Sequence, residues 1–250
     1  MTTSCLQSPT QYSLDIALPK FATFETFIDS SGQLLSELTQ LLENKAGTNP
    51  EVNPEICNEP RQYFLWGSVS TGKTHLLQAI CNQLAKREKN VIYLPMKDLL
   101  NQSADILNDM QQLDVLCIDD VDAVLGDTQW DRQLFILINE LRAKNKSIVM
   151  TATSSPHEVN VSFPDLASRL VWGPVYKLAL LQDEEKSRAI QAHAKARGLE
   201  VSDEVCSYLL KRFPRDLSKL IELLDQLDKE SLVQQKKVTV PFVKEVLGLS

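Results

Sequence analysis

The residues most able to do chemistry form one glycine-rich octapeptide: Gly67, Ser68, Val69, Ser70, Thr71, Gly72, Lys73 and Thr74. Its two glycines are separated by four residues and followed by Lys-Thr, which is the phosphate-loop pattern. The glycines let the backbone wrap closely, so that successive N–H groups can face phosphate oxygens. Lys73 can then reach the β and γ phosphates, and the Thr74 hydroxyl can bind magnesium. The alternative is a chance Gly/Ser turn, which the predicted strand before the loop and the predicted helix after it disfavour.

Two adjacent carboxylates, Asp119 and Asp120, follow the apolar run 113–118. An acid at the end of a buried strand beside a phosphate loop can hold magnesium through water, and we assign that role to Asp119. Asp120 could orient the attacking water. Because Asp is shorter than the Glu often found in such ATPases, we expect slow intrinsic hydrolysis. The alternative, an Asp pair that caps a helix, is weak beside an intact phosphate loop.

The elements that must position these residues alternate between short apolar runs and helical patterns. Strands are predicted at residues 63–66, 91–94, 113–118, 147–151 and 176–178, and helices at 33–44, 73–89 and 128–144. Nearly continuous apolar strands that alternate with helices are typical of a parallel sheet covered on both faces. The phosphate loop would then open a helix, whose N-terminus adds a partial positive charge.

After about residue 182 no further strand is predicted, and four helices follow at 183–197, 202–212, 215–234 and 240–247. We therefore predict an α/β nucleotide-binding domain over residues 21–180 and a small all-α domain over residues 181–250. Residues 1–20 have no helical period and are expected to form a flexible tail. Residues 45–60, rich in Pro, Asn and Glu, are expected to form a surface loop of unknown role.

Composition excludes several classes of protein. The chain has 250 residues, of which 43% are hydrophobic and 24% charged, so collagen, mucin-like and disulfide-scaffold classes do not fit. The five cysteines form no Cys-x-x-Cys pair, which argues against zinc. No apolar stretch is long enough to span a bilayer, and Met1–Pro9 lacks the basic and apolar regions of a signal peptide. The expectation is a cytoplasmic protein with no membrane partner.

The charge distribution indicates whether the chain can bind nucleic acid by itself. The formal net charge is −7, and no region of the chain is strongly basic. Basic surfaces supply most of the affinity of proteins for DNA. If this protein acts on DNA, we therefore expect another protein to bring it there.

The order of these motifs resembles that of AAA+ ATPases of the DnaA clade and, more narrowly, the Hda family of DnaA regulatory inactivators. The resemblance covers nearly the whole chain. It is carried by Phe24–Ile28, the phosphate loop, Leu116–Asp120, Pro164–Leu170, Trp172-Gly173, Lys211–Leu217 and Val240–Leu247. It implies an AAA+ domain followed by a helical lid, with ADP or ATP and magnesium as ligands.

The resemblance also implies roles for individual residues. Thr153 matches the sensor-1 position, where a polar side chain contacts the γ-phosphate or the attacking water. Arg169 matches the arginine finger, which points into a neighbouring subunit's site and stabilises charge on the transferred phosphoryl group. Arg215 matches the sensor-2 arginine, which contacts the protein's own nucleotide. Phe27 and Ile28 lie in the segment that packs around the adenine base in this clade.

Arg169 and Arg215 each have an alternative interpretation in which the residue has no functional role. Arg169 could be an ordinary surface residue that follows a helix, although the Ser-Arg-Leu setting before Trp172-Gly173 favours the finger. Arg215 could simply stand at a helix start. Because that is an electrostatically poor place for a cation, the cost modestly favours a functional role.

The N-terminal tail contains Gln11, Tyr12, Ser13, Leu14, Asp15 and Ile16, which resembles the short motif by which partners bind the DNA sliding clamp. In that family the motif reads Gln-Leu-Ser-Leu-Pro-Leu, so Tyr12 and Asp15 depart from it. Gln11 could bond at the pocket rim while Leu14 and Ile16 fill apolar pockets, a mode that suits an extended tail. The alternative is a tail with incidental hydrophobic residues.

These implications combine into one functional expectation. DnaA carries a further DNA-binding domain, for which the sequence leaves no room after the predicted lid. We therefore expect a negative regulator of replication initiation in the bacterial cytoplasm, held at the nucleoid by the clamp. Its partners would be DnaA, the β-subunit clamp, DNA through the clamp, and further copies of itself. The alternatives are a DnaA-related helicase loader or remodeller with its own ATP cycle, and a nucleotide-binding adaptor that leaves hydrolysis unaffected.

Overall fold

The computed structural model describes residues 18–30, 32–43 and 62–248. The predicted clamp-binding motif at residues 11–16 and the predicted surface loop at 45–60 lie outside the described residues. Within them the strands are β1 (Gln62–Trp66), β2 (Val91–Pro95), β3 (Val115–Asp119), β4 (Ser147–Ala152) and β5 (Val175–Lys177). The α-helices are α1 (Leu34–Glu43), α2 (Lys73–Ala85), α3 (Thr128–Ala143), α4 (Pro164–Leu170), α5 (Asp183–Ala196), α6 (Asp203–Arg212), α7 (Leu217–Gln234) and α8 (Val240–Val246).

The five strands form one parallel sheet in the order β2-β3-β4-β1-β5. The register pairs Pro95 with Asp119 and Trp66 with Ala152, so the strands end together at one edge, here called the carboxyl edge. The opposite edge, where β1 begins at Gln62, is called the amino edge. In open sheets of this kind, ligands bind outside the carboxyl ends of the strands.

Each face of the sheet is covered by helices. Alternate strand residues such as Phe64 and Met150 pack with α3 and α4, while Leu65 and Val149 pack with α1 and α2. Cys117 belongs to the second of these cores and is fully buried. Burial on both faces explains why the strand sequences are almost continuously apolar, and the predicted α/β fold is confirmed.

Helices α5 to α8 form the all-helical part of the chain around a core that includes Ile190, Leu209, Leu224 and Val243. Helix α5 begins with three acidic residues in its first turn, which suits the positive end of the helix. One of them, Glu185, accepts a hydrogen bond at 2.6 Å from Ser30, so α5 also contacts the N-terminal segment of the core.

Apart from shifts of one or two residues at element ends, the structure departs from the predicted elements in three places. Helix α2 ends at Ala85 rather than near residue 89, because the polar segment after it turns through Glu88 at a φ of 56°. Helix α4 was not predicted, since seven residues show too little of the helical period. The connection between β2 and β3 contains three short 3₁₀ turns, at 96–99, 104–107 and 110–112. In the described part of the chain, no helix has the length and apolar character needed to cross a membrane.

Candidate functional site

The predicted phosphate loop lies between β1 and α2, at the carboxyl edge. A Cβ on Gly67 would lie 2.5 Å from the carbonyl oxygen of Leu178, so only glycine fits at that position. Gly72 has a φ of 88°, and a Cβ there would lie 3.1 Å from the Phe27 ring. A side chain would therefore clash at Gly67 and would strain the backbone at Gly72.

Lys73 is folded into the loop that it follows. Its ammonium donates hydrogen bonds to the carbonyl oxygens of Gly67, at 2.6 Å, and Ser68, at 2.9 Å. Burial lowers the pKa of Lys73, while the carboxylates of Asp120 and Asp119 oppose that shift. The ammonium is thus held inside the loop that the sequence predicts to wrap phosphates.

Asp119 ends β3 and is 3% exposed. One carboxylate oxygen accepts a hydrogen bond from the Tyr93 hydroxyl at 2.7 Å, and the other accepts one from the Thr151 hydroxyl at 2.5 Å. Burial, together with the Asp119 charge, raises the pKa of Tyr93 far above its usual range, so the phenol remains a donor. The predicted magnesium-binding carboxylate is therefore fixed from both neighbouring strands.

Asp120 has a left-handed backbone, with a φ of 50°, and its N–H donates to the Thr151 hydroxyl oxygen at 2.9 Å. Its carboxylate forms an ion pair with the Lys97 ammonium at 2.7 Å. The hydrogen bond to Asp120 raises the pKa of Lys97. The carboxylate predicted to orient water is thus engaged by a lysine that the sequence analysis did not single out.

Thr153, the predicted sensor residue, follows the end of β4. Its backbone N–H donates to Oδ2 of Asp122 at 2.8 Å, and its hydroxyl donates to the same oxygen. Asp122 lies in a 3₁₀ turn, Val121–Ala123, that follows β3. It was not predicted as a site residue, although it stands only two positions after Asp120.

A cavity of about 290 Å³ opens between the phosphate loop and the helical part of the chain. Phe27 and Ile28 line it together with Ser70 to Thr74, so the structure brings the predicted base-packing residues to the predicted phosphate loop. The Phe27 ring is stacked with His75 at 6.3 Å between centroids, and His75 meets His193 edge-on at 5.0 Å. Burial lowers the pKa of both histidines, that of His193 to about 3.

Two arginines of the helical part differ in their relation to this cavity. Arg215 is exposed, forms an ion pair with Asp183 at 3.5 Å, and is not among the residues that line the cavity. Arg197 does line it, bonded to Asp225 at 2.7 Å and stacked 4.2 Å above the Phe21 ring. A nucleotide contact by Arg215 stays a prediction, and Arg197 is a cavity residue that the sequence analysis missed.

Arg169 lies elsewhere, at the end of α4. The side-chain amide of Gln62, the first residue of β1, donates to the Arg169 carbonyl oxygen at 2.6 Å, which places this end of α4 at the amino edge. The Arg169 guanidinium lies 4.0 Å from the Trp172 ring centre, and its Nε donates to Asn139 at 3.1 Å. Arg142 is stacked on the same indole at 3.9 Å. Arg169 does not line the cavity.

Comparison with known families identifies the chain. The family model for the bacterial DnaA ATPase domain matches residues 18–177, and the model for the lid domain of Hda matches residues 183–247. The chain belongs to the DnaA clade of AAA+ proteins and is of the Hda type. The resemblance stated from the sequence is therefore confirmed.

Solved structures of DnaA have the same fold as this Hda-type protein. Domain III of the Thermotoga maritima replication initiation protein DnaA is 24% identical, with a TM-score of 0.71 over 93% of this chain and 98% of that one. AMPPCP-bound DnaA from Aquifex aeolicus is 27% identical, with a TM-score of 0.64 over 87% and 69%. A DnaA bound to AMPPCP and single-stranded DNA is 26% identical, with a TM-score of 0.63 over 87% and 69%.

The donor set of this Hda-type protein suits magnesium. Mg²⁺ prefers oxygen ligands and is usually bound through one or two protein groups together with substrate phosphates. Thr74 offers a hydroxyl at the start of α2, and Asp119 offers a carboxylate at the end of β3. Among the described residues there is no group of three or more His, Cys, Asp or Glu side chains arranged to hold a metal ion.

Proposed function

We propose that this protein binds ADP or ATP, with magnesium, in the cavity between the phosphate loop and the lid. The support is the steric need for glycine at residue 67, the position of Lys73 in the loop, and AMPPCP bound to two DnaA structures of the same fold. Lys73 would release the loop carbonyls and bind phosphate oxygens, while Thr74 and Asp119 would hold magnesium. The metal, when bound, would neutralise phosphate charge.

The base would pack against Phe27 and Ile28, next to the two buried histidines. Because burial keeps both imidazoles neutral at pH 7, they add polar groups to the pocket without adding charge. Arg197 and Asp225 neutralise each other at the far wall. The pocket thus suits an uncharged aromatic ring, which is what an adenine base presents.

We further propose that the protein is a negative regulator of DNA replication initiation. In this proposal it promotes hydrolysis of DnaA-bound ATP to ADP by supplying Arg169 in trans. The observation that carries it is the position of Arg169 at the amino edge, at the opposite end of β1 from the phosphate loop. Strand β1 separates the two places by five residues, or about 16 Å at the usual rise of a strand.

The setting of Arg169 suits such a role. A guanidinium that already lies against Trp172 and is bonded to Asn139 loses less freedom when it engages a phosphate. A finger of this kind contributes about 10³–10⁵ in rate in well-studied phosphoryl-transfer proteins. The protein's own hydrolysis would be slow, as expected from the sequence, and its own nucleotide would mainly set its shape and assembly.

DNA would be reached through the sliding clamp. Residues 11–16 carry the proposed clamp contact, with Leu14 and Ile16 as apolar anchors. A chain with a net charge of −7 gains little from phosphate contacts, so a DNA-loaded clamp would supply that affinity. The proposed location is the bacterial cytoplasm.

The test is hydrolysis of radiolabelled ATP bound to DnaA, with DNA-loaded clamp, in the presence and absence of this protein. Wild type should stimulate strongly, and both Arg169→Ala and the double variant Leu14→Ala, Ile16→Ala should lose that effect. Arg212→Ala removes an exposed arginine of α6 and is the matched control, expected to stimulate like wild type. No stimulation by wild type would overturn the regulator proposal.

A helicase loader or remodeller with its own ATP cycle is the second candidate. The observation that favours it is the completeness of the protein's own site, with Lys73 in the loop and Asp119 fixed by Tyr93 and Thr151. This candidate predicts hydrolysis by the protein alone that rises on addition of DNA. The regulator proposal predicts slow hydrolysis that DNA alone does not change.

A further inference from the structure

The contact between Thr153 and Asp122 joins the ends of two neighbouring strands at the carboxyl edge. Thr153 has two donors, its backbone N–H and its hydroxyl, and both are directed to the single oxygen Oδ2 of Asp122. The hydroxyl proton is therefore already used. What Thr153 can still offer to the site is the acceptor side of its hydroxyl oxygen.

The second oxygen of Asp122, Oδ1, is buried and has no hydrogen-bond partner among the residues that the structure describes. A buried carboxylate oxygen without a partner is costly, so each such atom needs an explanation. Asp122 lies close enough to Lys73 and Lys97 to influence both ammonium groups, as Asp119 and Asp120 also do. The lone oxygen thus belongs to the charged group of residues beside the phosphate loop.

The chemistry of Oδ1 of Asp122 and Oγ1 of Thr153 limits which ligand can bond to them. Oδ1 of Asp122 and Oγ1 of Thr153 are both acceptors, and phosphate oxygens of a nucleotide are acceptors as well. A phosphate therefore cannot bond to them directly. A water molecule can, since it has two hydrogens to donate and keeps a lone pair for a third group.

We propose that Asp122 and Thr153 together hold the water that attacks the γ-phosphate, and that Asp122 rather than Asp120 is the residue that orients it. This inference rests on the proposed binding of ATP in this cavity. The Asp120 contact supports it, because that carboxylate is already paired with Lys97. In this arrangement Thr153 bonds to the water and makes no direct bond to the γ-phosphate.

The reaction balances as ordinary hydrolysis. The water oxygen forms a bond to the γ-phosphorus, and the bond from phosphorus to the β–γ bridging oxygen breaks. The electron pair of that bond stays on ADP. The proton lost by the water leaves with the products, and inorganic phosphate is released.

Asp122→Asn is the sharpest variant, because it keeps an oxygen for Thr153 and places an NH₂ donor where the free acceptor stands. Single-turnover hydrolysis of bound ATP should fall at least tenfold, while the affinity for ADP, measured with a fluorescent analogue, should stay within twofold. Asp120→Asn removes the neighbouring charge and should lower the rate less. A larger loss in Asp120→Asn, or wild-type rates in Asp122→Asn, would overturn the inference.

A second measurement does not depend on turnover. ADP with aluminium fluoride mimics the state in which the attacking water is held, so it should dissociate from wild type at least tenfold more slowly than ADP alone. Asp122→Asn should remove that difference. Thr153→Ser keeps both donors and should behave like wild type, whereas Thr153→Val should lose the slow release. No slowing by fluoride in wild type would also overturn the inference.

The inference and the nucleotide proposal fail in different ways. If wild type binds neither ADP nor ATP, the proposed nucleotide site is wrong. If wild type binds both and Asp122→Asn behaves like wild type in both measurements, the site stands and the role of Asp122 is wrong.

Discussion

The two edges of the sheet hold their charged groups by different means. At the carboxyl edge, the ammonium of Lys73 and the carboxylate of Asp119 are buried and bonded to groups of the same chain. At the amino edge, the half-buried Arg169 lies against the face of Trp172. The first arrangement suits a ligand that enters a prepared cavity. The second suits a cation offered to another molecule. Substitutions at one edge should therefore leave the function of the other edge unchanged.

The largest expected effect is on stability, at the amino edge. A Cβ on Gly173 would lie 1.8 Å from the carbonyl oxygen of Gln62, so Gly173→Ala must move backbone. That movement would also disturb the bond from Gln62 to the Arg169 carbonyl. We expect a loss of about 3 kcal/mol in the free energy of unfolding, measured by urea denaturation.

Gly198→Ala is the control for that substitution. Gly198 has a φ of 79° but nothing within 4 Å of the added Cβ, so only backbone strain of about 1–2 kcal/mol applies. Equal losses in the two variants would show that Gly173 is not sterically confined. They would also remove the structural reason for the position of Arg169.

At the carboxyl edge, Lys73→Ala should abolish most nucleotide binding while leaving the amino edge intact. Hydrogen bonds to charged groups contribute about 1.5–3 kcal/mol, so losing the contacts of one ammonium should weaken ADP binding about 100-fold. Lys97→Ala, which removes a half-exposed lysine paired with Asp120, should change the ADP affinity less than threefold. Equal losses in the two variants would contradict the assigned role of Lys73.

Trp172→Ala tests the arrangement of Arg169 at the amino edge. Without the indole, Arg169 and Arg142 both lose the ring on which they are stacked. Cation–π contacts contribute about 0.5–2 kcal/mol, so stimulation of DnaA-bound ATP hydrolysis should fall about tenfold. Trp172→Phe keeps an aromatic face and should recover most of it. ADP affinity should be unchanged in both variants, and a change there would mean that the two edges are coupled.

The fold was largely predictable because its signals are local. Apolar strands, the phosphate loop and the acids after β3 each occupy a few consecutive residues, and their positions agree with the structure. The partners of Asp119 depend instead on register, since Tyr93 and Thr151 lie 26 and 32 residues away from it. A polar residue within an apolar strand was the available signal for both. No local signal marks Lys97 as the partner of Asp120.

The arginines show which contacts a sequence pattern cannot predict. Arg197 reaches the cavity because α5 packs its last turn beside Phe21, which no spacing reveals. Arg215 lies just before α7, where the chain faces solvent and Asp183. Arg169 was found only through a family pattern, and its neighbour Asn139 on α3 was missed. Contacts between distant helices depend on packing angles that a linear pattern does not contain.

The smallest expected effect is on the pH dependence of stability, at the contact between the α/β domain and the helical part of the chain. His75 on α2 meets His193 on α5, and burial lowers the pKa of His193 from 6.5 to about 3. A lowered pKa means that the unfolded chain binds more protons than the folded one between these values. Stability should therefore be complete above about pH 6.5 and decline as the pH falls towards 3.

His193→Gln isolates this contribution, since Gln does not titrate. Between pH 7.5 and 5.5 one such histidine costs the folded state about 1.4 kcal/mol, so wild type should lose that much more stability than the variant. His157→Gln removes an exposed histidine that does not line the cavity, so it is the control and should follow wild type. Equal pH dependence in wild type and His193→Gln would mean that this imidazole is solvated, and that the helical part opens away from the phosphate loop in solution. In that case the residues of the carboxyl edge would reach their binding arrangement only after nucleotide closes the cavity. Arg169 at the amino edge would have its arrangement with or without nucleotide.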